Sequence, residues 1–179
     1  MTDFAKNGTL ARYFAGICEN VFEGELGVAD PPLIDYLTDL MIRFVRSDSL
    51  SRVRDTTGRP IEDIVGMLAE GQRRVGLARR DVHQHIGDVT LFYTGVFPEA
   101  LPRRQAKETA DYFVEYCSQG KRAYQIASEI ATDRSDDAQA EVLTRLSRQF
   151  ELCAYGLGEV RREWESEDGG NGPRRIIVS

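Results

Sequence analysis

Apolar residues recur at helical spacing along most of this chain. The clearest case is residues 31–47, where they follow the i, i+1, i+4, i+7, i+8 pattern of an amphipathic helix. Asp30 is placed to cap this helix, with Pro31 and Pro32 in its first turn. Similar spacings predict five further helices, over residues 9–23, 60–70, 76–97, 103–131 and 136–166.

These patterns predict an all-α protein of about six helices in a single-domain helical bundle over residues 1–166. A chain of 179 residues is long enough for one substantial hydrophobic core. Residues 167–179 contain Gly-Gly-Asn-Gly-Pro, which cannot continue a helix, so we expect a disordered C-terminal tail there.

The last predicted helix carries a heptad seam, because its apolar residues alternate spacings of three and four without a break. The seam comprises Leu143, Leu146, Phe150, Cys153, Leu157, Val160 and Trp164. Such a seam favours packing along another helix at a shallow angle, within the bundle or in a homodimeric coiled coil.

The helix predicted over 76–97 contains the only two histidines of the chain. At about 100° per residue, His85 falls within about 45° of the centre of the apolar face, whereas His83 falls well outside it. We therefore expect His85 to point inward and His83 to point outward. Asp88 and Asp81 flank His85 at i+3 and i−4, on the margin of the same face.

An imidazole held beside a carboxylate suits acid–base chemistry, because the carboxylate fixes the tautomer and favours the cationic form. His85 and Asp88 are thus the candidate catalytic residues. The same pair could belong to a metal site completed by acids from other helices, such as Glu19, Glu62 or Glu108. The structural alternative is a histidine at the edge of the core, bonded to an aspartate that holds helices together.

The remaining acidic and thiol groups favour ordinary structural roles. Asp35 and Asp39 lie opposite the apolar stripe of their helix, and Asp39 is placed to pair with Arg43 at i+4. The three cysteines have no Cys-x-x-Cys spacing and fall on apolar helix faces, so we expect reduced core residues.

No established catalytic motif is present. The chain lacks a phosphate-cradling Gly-x-x-x-x-Gly-Lys, a Gly-x-Ser-x-Gly elbow and a His-Glu-x-x-His pair, and the sequence identifies no cofactor. A net charge of −6 argues against a general nucleic-acid binder. No apolar run approaches the roughly 18 residues that span a bilayer, and no signal peptide is recognisable, so we expect a cytoplasmic protein.

Two functional hypotheses follow from the sequence. The first is a binding, regulatory or assembly module that acts through helix–helix contacts with a protein partner or with itself. It rests on the helix-only pattern, the heptad seam and the missing catalytic motifs. The alternative is a helical enzyme or metalloprotein that uses a partly buried His85–Asp88 pair.

Overall fold

The computed structural model describes residues 2–45, 53–61, 63–101, 106–132 and 137–167, with side chains from residue 8 onward and, in the fifth helix, from residue 112 onward. These residues form seven α-helices and no β-strand, which confirms the predicted all-α bundle. The helices are α1 (Thr2–Glu19), α2 (Pro31–Val45), α3 (Ile64–Arg73), α4 (Gly76–Gly95), α5 (Ala106–Glu129), α6 (Ala138–Arg148) and α7 (Phe150–Glu167). Of the predicted tail over residues 167–179, Glu167 is the last residue of α7, and residues 168–179 lie outside the described residues.

The helix α4 lies at the centre of the bundle, in contact with α2, α3, α5 and α7. From Val82 to Val96 every residue is buried except Gln84 and Tyr93, which are half-buried. A helix covered on all sides has no solvent-facing side on which polar residues can stay hydrated. Polar residues of α4 therefore enter the core and need partners there.

The amphipathic pattern of α2 predicted its structure well. The Asp30 carboxylate accepts a hydrogen bond from the Leu33 backbone N–H at 3.3 Å, as expected of an N-cap residue. Asp35 and Asp39 are exposed, and the predicted pair between Arg43 Nε and Asp39 Oδ2 is present at 2.9 Å. The opposite face of α2 is buried in the core.

The start of the third helix was predicted wrongly. We expected Pro60 in its first turn, but α3 begins at Ile64, where the Asp63 side chain accepts a hydrogen bond from the Gly66 N–H at 2.7 Å. Pro60 instead lies opposite Arg54 in an antiparallel bridge. A capping aspartate can satisfy a free N–H at the start of a helix, and here Asp63 sets the start of α3.

The last predicted helix is two helices, α6 and α7, with a break at Gln149, whose φ of −112° and ψ of 26° are not helical. The apolar spacing continues through the break, which is why the pattern did not reveal it. All seven seam residues are buried within the bundle. The seam therefore packs inside one copy of the chain, and a coiled coil through these residues would require them to be uncovered.

None of the helices in the described ranges combines the length and the apolar composition that a membrane span requires.

Candidate functional site

The Asp88 carboxylate is the most heavily engaged polar group in the core. It is 1% exposed and accepts hydrogen bonds from Tyr36 Oη at 2.6 Å, Tyr124 Oη at 2.8 Å and Arg43 Nη1 at 3.1 Å. These donors come from α2 and α5, so the single carboxylate joins both helices to α4. A buried carboxylate is tolerated in a protein core when such donors replace the water it has lost.

Local packing places these donors. Tyr124 lies against Gly87, the residue before Asp88, where an added Cβ would stand 2.5 Å from the ring. The absence of that Cβ lets the ring cross α4 closely enough for its hydroxyl to reach the carboxylate. On the other side, Gln84 Nε2 donates to Tyr36 Oη at 3.0 Å, which orients that hydroxyl toward Asp88.

The electrostatics of this cluster favour protonated tyrosines and a charged Arg43. Burial, and then the nearby Asp88 carboxylate, hold the pKa values of Tyr36 and Tyr124 well above the usual range. Burial alone would lower the pKa of Arg43, but the attraction and hydrogen bond to Asp88, together with smaller contributions from Tyr36 and Asp39, outweigh it and raise that pKa. The two tyrosines and Arg43 therefore keep their protons near neutral pH, and the arrangement of the cluster is that of a structural tie between helices.

His85 points inward, as expected, and is 3% exposed. Its ring stacks on Phe44 with centroids 6.3 Å apart and also lines a cavity of about 330 Å³. The hydrogen bonds that define the Asp88 cluster come from Tyr36, Tyr124 and Arg43, on α2 and α5. The catalytic role of His85 and Asp88 stays a prediction.

The expectation that His83 points outward was wrong, since this residue is also 3% exposed. The helix α3 covers that side of α4, and a Cβ added to Gly71 would stand 3.0 Å from His83 Nε2. Neither ring nitrogen of His83 has a hydrogen-bond partner among the described residues. Burial, and then the cations Arg79 and Arg122, lower the pKa of His83.

We predict that His83 makes the fold sensitive to mild acid. The folded protein keeps the ring neutral, whereas the unfolded chain binds a proton near the ordinary pKa of 6.5. Below that pH the unfolded state therefore holds more protons, and the free energy of unfolding falls until the pH drops below the lowered folded pKa. Urea titrations at pH 7.5, 6.5 and 5.5 should show a smaller acid-induced loss in His83→Gln than in wild type. Parallel curves for the two proteins would contradict this prediction.

Of the three acids proposed to complete a metal site, only Glu19 has a side chain that the structure describes. Glu19 is exposed, and the Glu62 and Glu108 side chains lie outside the described set. Asp81 is exposed but lines the same cavity as His85. The described residues contain no group of three or more His, Cys, Asp or Glu side chains that could hold a metal ion.

The three cysteines are free and buried, as expected. Burial, the largest cause in each case, raises the pKa of Cys18 to about 11 and that of Cys153 to about 12. Thiols with such values are protonated at neutral pH and are poor nucleophiles.

A surface feature between α5 and α7 was missed in the sequence. Phe113, which lies four residues before the buried Cys117 on the apolar stripe of α5, is 38% exposed, and Val114 and Tyr155 beside it are 66% and 58% exposed. Two adjoining concave surfaces of about 550 and 660 Å³ share Phe113, Cys117 and Glu151. We call this continuous surface the α5–α7 groove.

Along α7 alone the groove runs from Glu151 to Glu165, which is about 21 Å at about 1.5 Å per residue. At one end, Arg161 and Arg162 are paired with neighbouring glutamates. At the other end, Arg122 forms no ion pair with any residue that the structure describes, while Lys121 pairs with Glu151 at 2.8 Å. Within the part of the chain that the structure describes, the second end therefore carries a positive charge, that of Arg122, without an ion-pair partner.

Comparison of the chain with protein-family models, with curated proteins and with solved structures gave no match.

Proposed function

We propose that this protein is a helical binding module whose α5–α7 groove receives an amphipathic helix of a partner protein. The observation that carries the proposal is the run of exposed apolar side chains, Phe113, Val114 and Tyr155, along a concave surface. Apolar residues grouped in this way on a surface often mark an interaction site.

The dimensions of the groove favour a helix as the occupant. A length of about 21 Å corresponds to about 14 residues of α-helix, or about four turns. Helix-in-groove recognition uses apolar anchors at i, i+3 or i+4 and i+7 on one side of the bound helix. Such anchors can contact Phe113 and Tyr155 in succession while the polar side of the helix stays in water.

The charges favour an acidic residue at one end of that helix. Arg122 has no counter-ion among the described residues, whereas the arginines at the opposite end already have theirs. A carboxylate near Arg122 would gain attraction without displacing an existing pair, and it would fix the direction in which the helix lies.

A displayed library of 18-residue amphipathic helices, selected against the full chain, tests the proposal. We expect selected helices to carry an acidic residue near one end and to bind at least about tenfold more weakly to Tyr155→Asp, a change of about 1.4 kcal/mol. Val65→Asp is the matched control, because Val65 is also an exposed apolar residue on a helix but lies on α3, away from the groove.

Three outcomes would contradict the proposal. One is a selection that yields no helix above a scrambled library. Another is equal binding to wild type and Tyr155→Asp. The third is a dimer by light scattering that Tyr155→Asp dissociates, because the occupant would then be a second copy of the chain.

A second candidate function uses His85, because its ring lines a cavity. In an enzyme of this kind His85 would act as the general base, and Asp88 would hold α4 in position through its bonds to Tyr36 and Tyr124. Stoichiometric metal in the purified protein, absent from His85→Ala, would support a metal-dependent form.

A further inference from the structure

The residues 53–61 form a small, well-bonded turn that places an arginine beside α4. The Ile61 N–H donates to the Val53 carbonyl at 2.8 Å, and the Asp55 N–H donates to the Arg59 carbonyl at 2.9 Å. Val53 is buried in the core. Arg54 Nη1 donates to the Gly58 carbonyl at 2.8 Å, so the guanidinium is held by its own turn.

A second arginine, Arg74, is fixed next to the first. Its Nε donates to Glu70 Oε1 at 2.8 Å, and its Nη2 donates to the Arg54 carbonyl at 2.9 Å. Its Nη1 has no hydrogen bond to any described residue, and the same is true of Arg54 Nε and Nη2. Two oriented guanidinium groups that still have N–H donors available can bind the oxygens of a carboxylate or phosphate.

These arginines line the cavity that also contains His85. Its volume of about 330 Å³ has room for about ten water molecules at liquid density. The buried ring of His85 and the side chain of Val82 form part of its wall, and Val53 adds another apolar surface. The space thus combines a cationic side with an apolar side, as small-molecule sites commonly do.

The acids around the cavity narrow the class of ligand. Glu70 is already paired, with Arg74 at 2.8 Å and with Arg73 at 3.9 Å, so its charge is offset. Asp81 has no ion pair among the described residues and lines the cavity. An anion alone would meet repulsion from Asp81, whereas a ligand that also carries an ammonium or hydroxyl group would find an acceptor there.

We propose that this cavity binds a small organic molecule with an anionic group at one end and a hydrogen-bond donor at the other. Arg54 and Arg74 bind the carboxylate or phosphate, and Asp81 accepts from the donor group. The apolar wall and His85 enclose the part of the molecule between them. This site is separate from the α5–α7 groove, and its occupant is independent of the partner helix.

The two histidines provide an internal readout for this proposal. Titration of the full chain at fixed pH and ionic strength, followed by the ring signals in NMR, reports on His85 in the cavity and on His83 outside it. The probes are inorganic phosphate, phosphoethanolamine, acetate and glycine, which separate phosphate from carboxylate and test the effect of an ammonium group. The His83→Gln variant assigns the two signals.

We expect either the phosphate probes or the carboxylate probes to shift the His85 signals until the site is saturated. Within that class, the probe with an ammonium group, phosphoethanolamine or glycine, should bind more tightly than the probe without one. Arg54→Gln should weaken that binding at least tenfold. Arg59→Gln, which removes the same charge from the same turn but does not line the cavity, should leave it unchanged. Asp81→Asn should remove the preference for the ammonium-bearing probe. The proposal is overturned if no probe shifts the His85 signals to saturation, or if Arg54→Gln binds the probe as tightly as wild type does. It is also overturned if the His83 signals shift as much as those of His85.

Discussion

Asp88→Asn should lower the free energy of unfolding by about 3 kcal/mol, in the range expected when one partner of a buried charged pair is removed. The asparagine has nearly the same shape, so no cavity forms. However, its amide is neutral, and its NH₂ group faces donors that the carboxylate now accepts from. Tyr36 and Tyr124 both donate to Oδ1 and Arg43 donates to Oδ2, so either Arg43 or both tyrosines would lose their acceptor in the core. Urea denaturation followed by circular dichroism measures the change.

Asp39→Asn is a matched control for this experiment. Asp39 pairs with the same guanidinium, Arg43, through Nε at 2.9 Å, but its side chain is 67% exposed. Exposed pairs contribute about 1 kcal/mol or less, so this variant should remain close to wild type. Equal losses in the two variants, or a loss below about 1 kcal/mol in Asp88→Asn, would show that the carboxylate does not join the helices.

The sequence predicted the helices whose one face is apolar and whose other face meets water. For α2 this gave the N-cap, the buried stripe and the Asp39–Arg43 pair, all of which depend on residues within a few positions of each other. The same reasoning failed for α4, because it assumed a single buried face and therefore placed His83 in solvent. The covering helix α3 comes from a separate segment of chain, and no periodicity within α4 reports its presence.

The partners of Asp88 could not be predicted from the spacing of nearby residues, for a related reason. Tyr36 and Tyr124 lie 52 and 36 positions away, whereas the local pattern offered only His85, at i−3, as a partner for Asp88. A signal did exist. Tyrosines on apolar stripes need an acceptor when they are buried, and an aspartate among apolar residues needs donors. Matching these two requirements would have proposed the cluster without a structure, although it could not have selected which tyrosines take part.

The exposed apolar residues of the α5–α7 groove were missed because helical spacing assigns residues to a face without showing what covers it. Phe113 lies on the same stripe as Cys117 and Tyr124, and those two are buried. The stripe is covered at one end and open at the other. Only the packing of α5 against α7 shows which residues of the stripe are covered and which are exposed.

Gly120→Ala should destabilise the protein by about 2 kcal/mol, because overpacking of a tight core outweighs the gain of about 1 kcal/mol in helix propensity. The added Cβ would stand 2.4 Å from Phe150 Cε2 and 2.4 Å from Thr90 Oγ1. Phe150 is fully buried, and the Thr90 hydroxyl is held by hydrogen bonds to the Ile86 carbonyl at 2.8 Å and the Gly87 carbonyl at 2.9 Å. Neither neighbour can withdraw without losing contacts, so α5 would have to move away from α4.

Gly16→Ala should have the opposite effect and stabilise the protein. Gly16 lies inside α1, is exposed, and has no atom within 4 Å of its added Cβ. The substitution should therefore raise the free energy of unfolding by roughly 0.5–1 kcal/mol through helix propensity alone. Chemical denaturation of both variants separates the two contributions, because the same glycine-to-alanine change is made in a free and in a crowded helix. If Gly120→Ala were as stable as Gly16→Ala, the close approach of α4 and α5 at Gly120, and with it the position of Tyr124 over Asp88, would be wrong.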